Sequence, residues 1–242
     1  MTYNLERIAK SLPGQHIEVG DKTHENFVNV VRNMLSDERK GKVIRYDDFV
    51  HDLFLKSPVH ISRQDIDELS ECSVAYFVIY TGVIEGEEDI DVDTADILYY
   101  EPGFFNIIVV KTSNLSKSTQ PPNIISAYKL AQTCARMIEN EEYDTISIDY
   151  ISIDWREDKA NGKLVCEDAQ HVSLFKTTPS ELFINCSASF QVQFRSHNVD
   201  QTWQGSIDEW ARAYLRHFVA SAQHHCDAMR KKFIDPFLKY IE

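Results

Sequence analysis

The sequence predicts an α/β (α+β) fold in which a mixed β-sheet core is flanked by helices. Three observations lead there. Helical periodicity dominates both ends of the chain, strand-like segments cluster between residues 95 and 194, and one strongly amphipathic helix interrupts that cluster. Helices, then strands around a central helix, then more strands and a closing helix is the order expected of such a sheet.

The elements follow in order. Thr23 is a suitable N-cap for a helix to about Asp37, with Phe27, Val30, Val31, Met34 and Leu35 at helical spacing. A second helix is expected from Tyr46 to Leu55, stopping before Pro58, and a third from Ser62 to Glu71. Val74 to Ile84 is apolar and rich in β-branched and aromatic residues, so periodicity leaves helix and strand both open. Ala95 to Tyr100 and Phe104 to Lys111 read as two strands of a hairpin joined at Pro102-Gly103. A polar loop, Thr112 to Gln120, leads through Pro121-Pro122 to a helix over Asn123 to Glu139, with Ile124, Tyr128, Ala131, Ala135 and Ile138 on one stripe. Thr145 to Trp155 alternates as a long strand with a bulge or bend. Lys163 to Cys166 and Ser189 to Phe194 are further strands. Ser206 to Tyr240 reads as one long helix or two, ending near Pro236.

A chain of 242 residues suits one domain, 1–242, with a mostly helical first part (1–92) and a core over 93–242. Apolar content of 43% and charged content of 26% are ordinary globular values and argue against disorder. No apolar run is long enough to span a bilayer, and Met1 to Lys10 lacks the apolar stretch of a signal peptide. Cys72, Cys134, Cys166, Cys186 and Cys226 are odd in number and scattered, which suits reduced thiols in a cytoplasmic protein.

The net charge of −13 weighs at first against nucleic acid, because phosphate contacts dominate that affinity. Its distribution weighs the other way. Pro102 to Ile138 contains no acid but holds Lys111, Lys117, Lys129 and Arg136, and His171 to Val199 contains only Glu181. The acidic excess gathers elsewhere, as in Glu85, Glu87, Glu88, Asp89, Asp91 and Asp93, a run that reads as a solvated loop.

The hairpin carries the chemistry. Asp96 on its first strand and Lys111 at the end of its second make half of a phosphodiester-cleaving site. Such a site needs a hard cation on carboxylates and an amine to stabilise charge or orient the attacking water. A second carboxylate two residues before the lysine would share its face of the strand, but Val109 stands there. Val110 between them offers a backbone carbonyl to a metal. By spacing alone, an Asp and a Lys on neighbouring strands are more often coincidental than catalytic.

Longer motifs add to that pair. They run from Asp93-Thr94-Ala95-Asp96-Ile97-Leu98 through Val110-Lys111-Thr112 and Ser116-Lys117-Ser118. They continue in Gln120, Pro122-Asn123-Ile124-Ile125-Ser126-Ala127-Tyr128-Lys129, Pro179-Ser180-Glu181-Leu182, Ile184-Asn185, Gln191 and Gln193-Phe194. Glu209-Trp210-Ala211, His217-Phe218-Val219 and Lys239-Tyr240-Ile241 complete them. These resemble the HincII family of restriction endonucleases, within the PD-(D/E)xK nucleases, densely from residue 93 onward and thinly before it.

The resemblance implies a restriction-endonuclease-like fold whose 93–242 core is catalytic and DNA-binding. It implies a Mg²⁺-dependent type II deoxyribonuclease of a restriction–modification system, acting as a homodimer on double-stranded DNA at a palindromic, degenerate six-base site. Asp96 then matches the first metal carboxylate, Lys111 the catalytic lysine, and Val109 the position of the second metal aspartate. Asp93, Glu101 or Glu25 are candidate replacements for that missing acid. The alternative is an inactive, sequence-specific DNA-binding protein on the same scaffold.

Within the resemblance Gln120 matches a residue that wedges into the duplex, and prying a step open is cheapest at flexible pyrimidine–purine steps. Asn123 and Asn185 match residues that approach base edges, where an amide offers both a donor and an acceptor. Ser116 lies in the same contacting loop, and Lys117, Lys129 and Arg195 are candidate phosphate contacts. Taken without the resemblance, Asn123 is the N-cap of a helix starting at Ile124, Gln120 a surface loop residue and Asn185 a strand end. The helix starting at Asn123 and the segment before Asp93 are expected at the dimer contact. His224 and His225 point apart on a helix, and Trp155, Trp203 and Trp210 are expected in the core or a dimer contact.

Overall fold

The computed structural model describes residues 5–18, 23–39, 42–45, 76–79, 97–101, 104–117, 121–144, 146–187 and 190–241. The elements begin with α1 (Leu5–Ser11), β1 (His16–Glu18), α2 (Thr23–Arg39), β2 (Lys42–Arg45) and β3 (Tyr76–Ile79). The hairpin strands β4 (Ile97–Glu101) and β5 (Phe104–Asn114) follow, then β6 (Asn123–Ser126) and α3 (Ala127–Asn140). Last come β7 (Ile146–Asp158), β8 (Lys163–Ser173), β9 (Phe183–Asn185), β10 (Gln191–Gln193), α4 (Ile207–Phe233) and a short helix at Asp235–Leu238.

A mixed seven-stranded sheet in the order β1-β8-β7-β5-β4-β3-β2 forms the centre. β5 runs parallel to β7 and antiparallel to β4, so the expected hairpin is present. Ile107, Ile108, Val109 and Val110 are buried in succession, at most 2% exposed. An unbroken β-branched run of this kind needs both faces of its strand covered. Ile107 and Val109 pack in a cluster with α3, the first turns of α4 and the strands β6, β9 and β10. Ile108 and Val110 pack on the other face against Phe27, Val31 and Leu35 of α2 and Leu5 and Ile8 of α1. The first part of the chain, expected to be mostly helical, thus also supplies β1, β2 and β3 to the sheet.

The expected helix from Thr23 and the long alternating strand are present, and the expected irregularity is a register shift between Asp154 and Trp155. Lys163 opens a strand that continues to Ser173. In the ambiguous run Val74 to Ile84, Tyr76–Ile79 is a strand paired with β2 and β4. The expected helices at 46–55 and 62–71, the acidic run, Cys72 and the Pro102-Gly103 turn lie outside the described residues. Cys134 and Cys166 are buried free thiols, and burial pushes each up to about 12.

Two expectations are corrected. β5 continues to Asn114, so Thr112 and Ser113 belong to a strand rather than a loop. The helix expected from Asn123 starts at Ala127, because Asn123–Ser126 is a strand paired with β10. Its cap is Ser126, whose Oγ accepts from the Lys129 N–H at 3.3 Å, so Asn123 is not the N-cap. The later start rotates the buried stripe to Ala127, Leu130, Ala131, Cys134 and Met137 and leaves Tyr128 exposed. Helical periodicity across 123–139 could not reveal that four of those residues complete another strand's ladder.

α4 begins with a capping box, in which Ser206 and Glu209 satisfy each other's backbone N–H groups. Its first turns press Trp210, Ala211 and Tyr214 into the core. The Trp210 Nε1–H donates to the Thr177 carbonyl at 2.8 Å, its ring stacks on Tyr214, and the Tyr214 hydroxyl donates to the Ala127 carbonyl at 3.0 Å. That last bond ties α4 to the start of α3. Tyr214→Phe removes this bond while the Ala127 carbonyl keeps its place in the helix ladder, and should lower unfolding free energy by about 0.5–1.5 kcal/mol in urea titration.

Candidate functional site

The two acid-poor stretches meet in space. β6 comes from the first, β9 and β10 from the second, and they pair as a three-stranded sheet in the order β6-β10-β9. Ile124, Ile125, Ile184 and Val192 turn inward and bury. Strand alternation then turns Asn123, Phe183, Asn185, Gln191 and Gln193 outward. The Gln193 Nε2 donates to Asn123 Oδ1 at 2.6 Å, and Gln193 Oε1 accepts from Asn185 Nδ2 at 3.0 Å. Both expected base-contacting asparagines therefore stand in one array, joined by Gln193, which the sequence reading did not single out. The Gln-Val-Gln alternation at 191–193 was the available signal. Phe183, 61% exposed opposite Gln193, carried none, because an aromatic in a short strand reads as core.

At the end of β5 the chain turns tightly. Asn114 Oδ1 accepts from the Ser116 N–H at 2.8 Å, and its carbonyl accepts from the Lys117 N–H at 3.0 Å. Ser116 and Lys117 are exposed there, and Lys129 is half-buried in the first turn of α3. Lys111 is half-buried where the apolar run of β5 ends. It pairs with Ser152 of β7, and Ser113 pairs with Asp154. Paired residues share a face, so Lys111, Ser152 and Asp154 continue the face on which Val109 and Tyr150 are buried. Ser196 hydrogen-bonds Ser152 across this edge. Partial burial first, then the charge of Asp168, push the Asp154 carboxyl above the ordinary aspartate range, while Arg195 and His197 pull it back.

The family model of restriction endonuclease HincII matches residues 6–241. The chain belongs to the HincII restriction endonuclease family. It is 40% identical to the type II restriction enzyme HindII and 39% identical to the type II restriction enzyme HincII, both of Haemophilus influenzae. Each alignment covers 92% of this chain and 88% of that enzyme. Among solved structures, NlaIV restriction endonuclease aligns with a TM-score of 0.35 at 12% identity, over 93% of this chain and 86% of that one.

For this HincII-family chain the placement of the expected catalytic residues is uneven. Asp96, Asp93 and Gln120 lie outside the described residues; the β4–β5 ladder is described from Ile97, opposite Ile108. Val109 is wholly buried, and so is the Val110 side chain on the opposite face, leaving only its backbone for the assigned role. Glu101 pairs with Phe104 at the far end of the hairpin, seven residues and about 23 Å of strand from Lys111, so it does not stand beside that lysine. Glu25 belongs to α2, which packs on the face opposite to Lys111. Asp154 is the carboxylate that the tertiary structure sets one strand from Lys111, and nothing in its local sequence marked it.

No group of three or more His, Cys, Asp or Glu side chains is arranged to hold a metal among the described residues. The isopropyl group of Val109 offers no donor, so the described residues alone do not fit a magnesium ion.

The raised Asp154 carboxyl has a pH signature. A folded pKa above the unfolded one means that the carboxylate opposes folding fully above the folded value and not at all below the unfolded value, about 3.9. Asp154→Asn should therefore raise the melting temperature at pH 7, and thermal melts in a pH series should show that gain vanishing near pH 3.

Proposed function

We propose that this chain is a type II restriction endonuclease that binds duplex DNA as a homodimer and reads a short palindromic, degenerate six-base site, with cleavage weakened at Val109. The observation that carries the reading is the Asn123–Gln193–Asn185 amide array on an acid-poor surface of a HincII-family chain. Amide side chains match base edges with a donor and an acceptor each, and linking them fixes their orientation before DNA arrives. Ser116, Lys117, Lys129 and Arg195 would position the backbone, and Gln120 would wedge beside the central step. A two-fold site read by one chain type calls for a two-fold dimer, and the whole chain is read as one domain.

Lys111 is the catalytic amine in this reading, held at the rim of a rigid strand where its charge faces the scissile phosphate. Mg²⁺ is the assigned cofactor, with Asp96 and the Val110 carbonyl as its ligands; when bound it would neutralise charge on the phosphate and acidify a water. Val109 leaves that donor set one carboxylate short. The burial of Val109 also favours a second reading, a DNA-binding protein that recognises its site without cutting.

Plasmid incubated with the protein in Mg²⁺ or Mn²⁺ separates the two readings. Slow, site-specific linearisation supports the nuclease; a site-specific gel shift without cleavage supports the second. Loss of any DNA shift at low salt would refute both, since phosphate binding weakens with salt but persists without it. Val109→Asp should raise cleavage by about two orders of magnitude. It should also lower the melting temperature without metal, because an unpaired carboxylate then sits in an apolar core. Gln193→Ala should cost roughly 1–3 kcal/mol of discrimination against mismatched sites in competition gel shifts, with little change in affinity for random DNA.

A further inference from the structure

α4 is far longer than the part of it that the body covers. Its 27 residues span about 40 Å, and its buried residues, Trp210, Ala211 and Tyr214, all lie in the first turns. The apolar stripe does not stop there. Leu215, Phe218, Ala222, His225 and Met229 recur at alternating steps of three and four, the seam spacing of helices that pack along their length, and Phe233 follows four residues later. Leu215 and Phe218 pack against the core cluster, and the His225 ring meets Phe190 at 5.9 Å between centroids. One turn on, the cover ends: Met229 is 44% exposed and Phe233 53%.

Beyond Phe233 the exposed surface grows. Ile234, Phe237 of the short helix, Tyr240 and Ile241 are each more than half exposed. At roughly 150–250 Å² for a whole aromatic side chain, this stretch presents several hundred Å² of apolar surface along one arm. That matches or exceeds the largest patch of a typical monomer and approaches the ~800 Å² that one partner contributes to a stable dimer. Cations rim it. Lys232 Nζ stands 4.9 Å from the Phe233 ring centroid, and Lys239 Nζ 4.8 Å from that of Tyr240. Arg230, Lys231, Lys232 and Lys239 outnumber Asp227 and Asp235 here, on a chain whose net charge is −13.

We propose that residues 226–241 form an arm that seats on a second copy of this chain, each arm laying its apolar stripe and cationic rim against the acid-rich body of the other about a two-fold axis. This rests on the homodimer reading above and gives that dimer a surface. The stripe continues one that packs on protein, so protein completes it, and a continuous helix cannot bend back to its own body. Charge chooses the partner. The arm is basic and the rest of the chain strongly acidic, so the arm is drawn to the body of the second copy and repelled by another arm. Duplex DNA would match the lysines and leave the rings in water. The arm leaves the body beside Asn185, since His217, Ser221 and His224 of α4 line a groove with Phe183 and Asn185. A contact there fixes the separation of the two amide arrays, and hence the spacing of the half-sites.

Sedimentation of the full chain without DNA tests the arm. The wild type should run as a dimer at micromolar concentration. Phe233→Asp with Phe237→Asp should raise the dimer dissociation constant by roughly a hundredfold and give a monomer of unchanged helix content by circular dichroism, since both side chains are exposed. Lys231→Ala with Lys232→Ala should raise it about tenfold without touching an apolar residue. A dimer that survives the paired Phe substitutions unweakened overturns the inference and leaves the homodimer reading standing on another surface. A wild type that stays monomeric, alone and with duplex DNA, overturns the homodimer reading itself. A monomer that floats with phosphatidylglycerol vesicles, and no longer does so after the paired Phe substitutions, overturns the inference in favour of a lipid surface. Should that pair fail to fold, Tyr240→Asp, further out on the arm, decides the same question with a rise of about tenfold.

Discussion

The parallel pairing of β5 with β7, buried on both faces, is the constraint on which the described architecture rests. Ile107 to Val110 and Ile146 to Ile153 bring apolar side chains to two clusters at once, one under α3 and α4 and one under α1 and α2. Neither cluster closes without this central pair. Its ladder extends over ten residues, Phe105 to Asn114 against Ile146 to Trp155, so one register governs both ends of the molecule. Polar groups are admitted only where the covering layers stop. At one end stand Lys111, Ser152 and Asp154, and at the other Asn106, Ser147 and Asp149.

That arrangement explains the cost of changing position 109. A carboxylate there would sit inside the densest packing of the molecule, supported only by what gathers at the strand end. Valine removes that electrostatic burden and joins the cluster of Tyr150 and α3. An apolar side chain in this close-packed cluster needs no partner, where a buried carboxylate would.

The small sheet β6-β10-β9 plays a different part. Its inner residues belong to the same cluster as the central strands, so the outer amide array is anchored to the core and not carried on a loop. Ala127 marks this coupling. Its N–H donates to the Phe190 carbonyl at the start of β10, and its carbonyl accepts from Tyr214. One residue joins the small sheet, α3 and α4, and any shift of that junction would move Asn123, Gln193 and Asn185 together.

Much of this was legible in the chain itself. Local patterning marked α2, the β4–β5 hairpin, the long β7 strand and its irregularity, because period and turn residues act over a few positions. The acid-poor stretches, Lys111 and the long motifs pointed to the family, and Asn123 and Asn185 stood out within them. Local patterning did not reveal that 123–126 is a strand, since its ladder partner lies in β10, some seventy residues away, and a helix period fits the same residues. Nor could it reveal Gln193 as the bridge, Asp154 beside Lys111, or the buried, unpartnered amide of Asn106. Sequence alone determined the elements and the residue types available for chemistry, because those depend on neighbours along the backbone. Tertiary structure alone decided which side chains share a face and which buried groups lack partners, because strand pairing and layer packing join residues that the chain holds far apart.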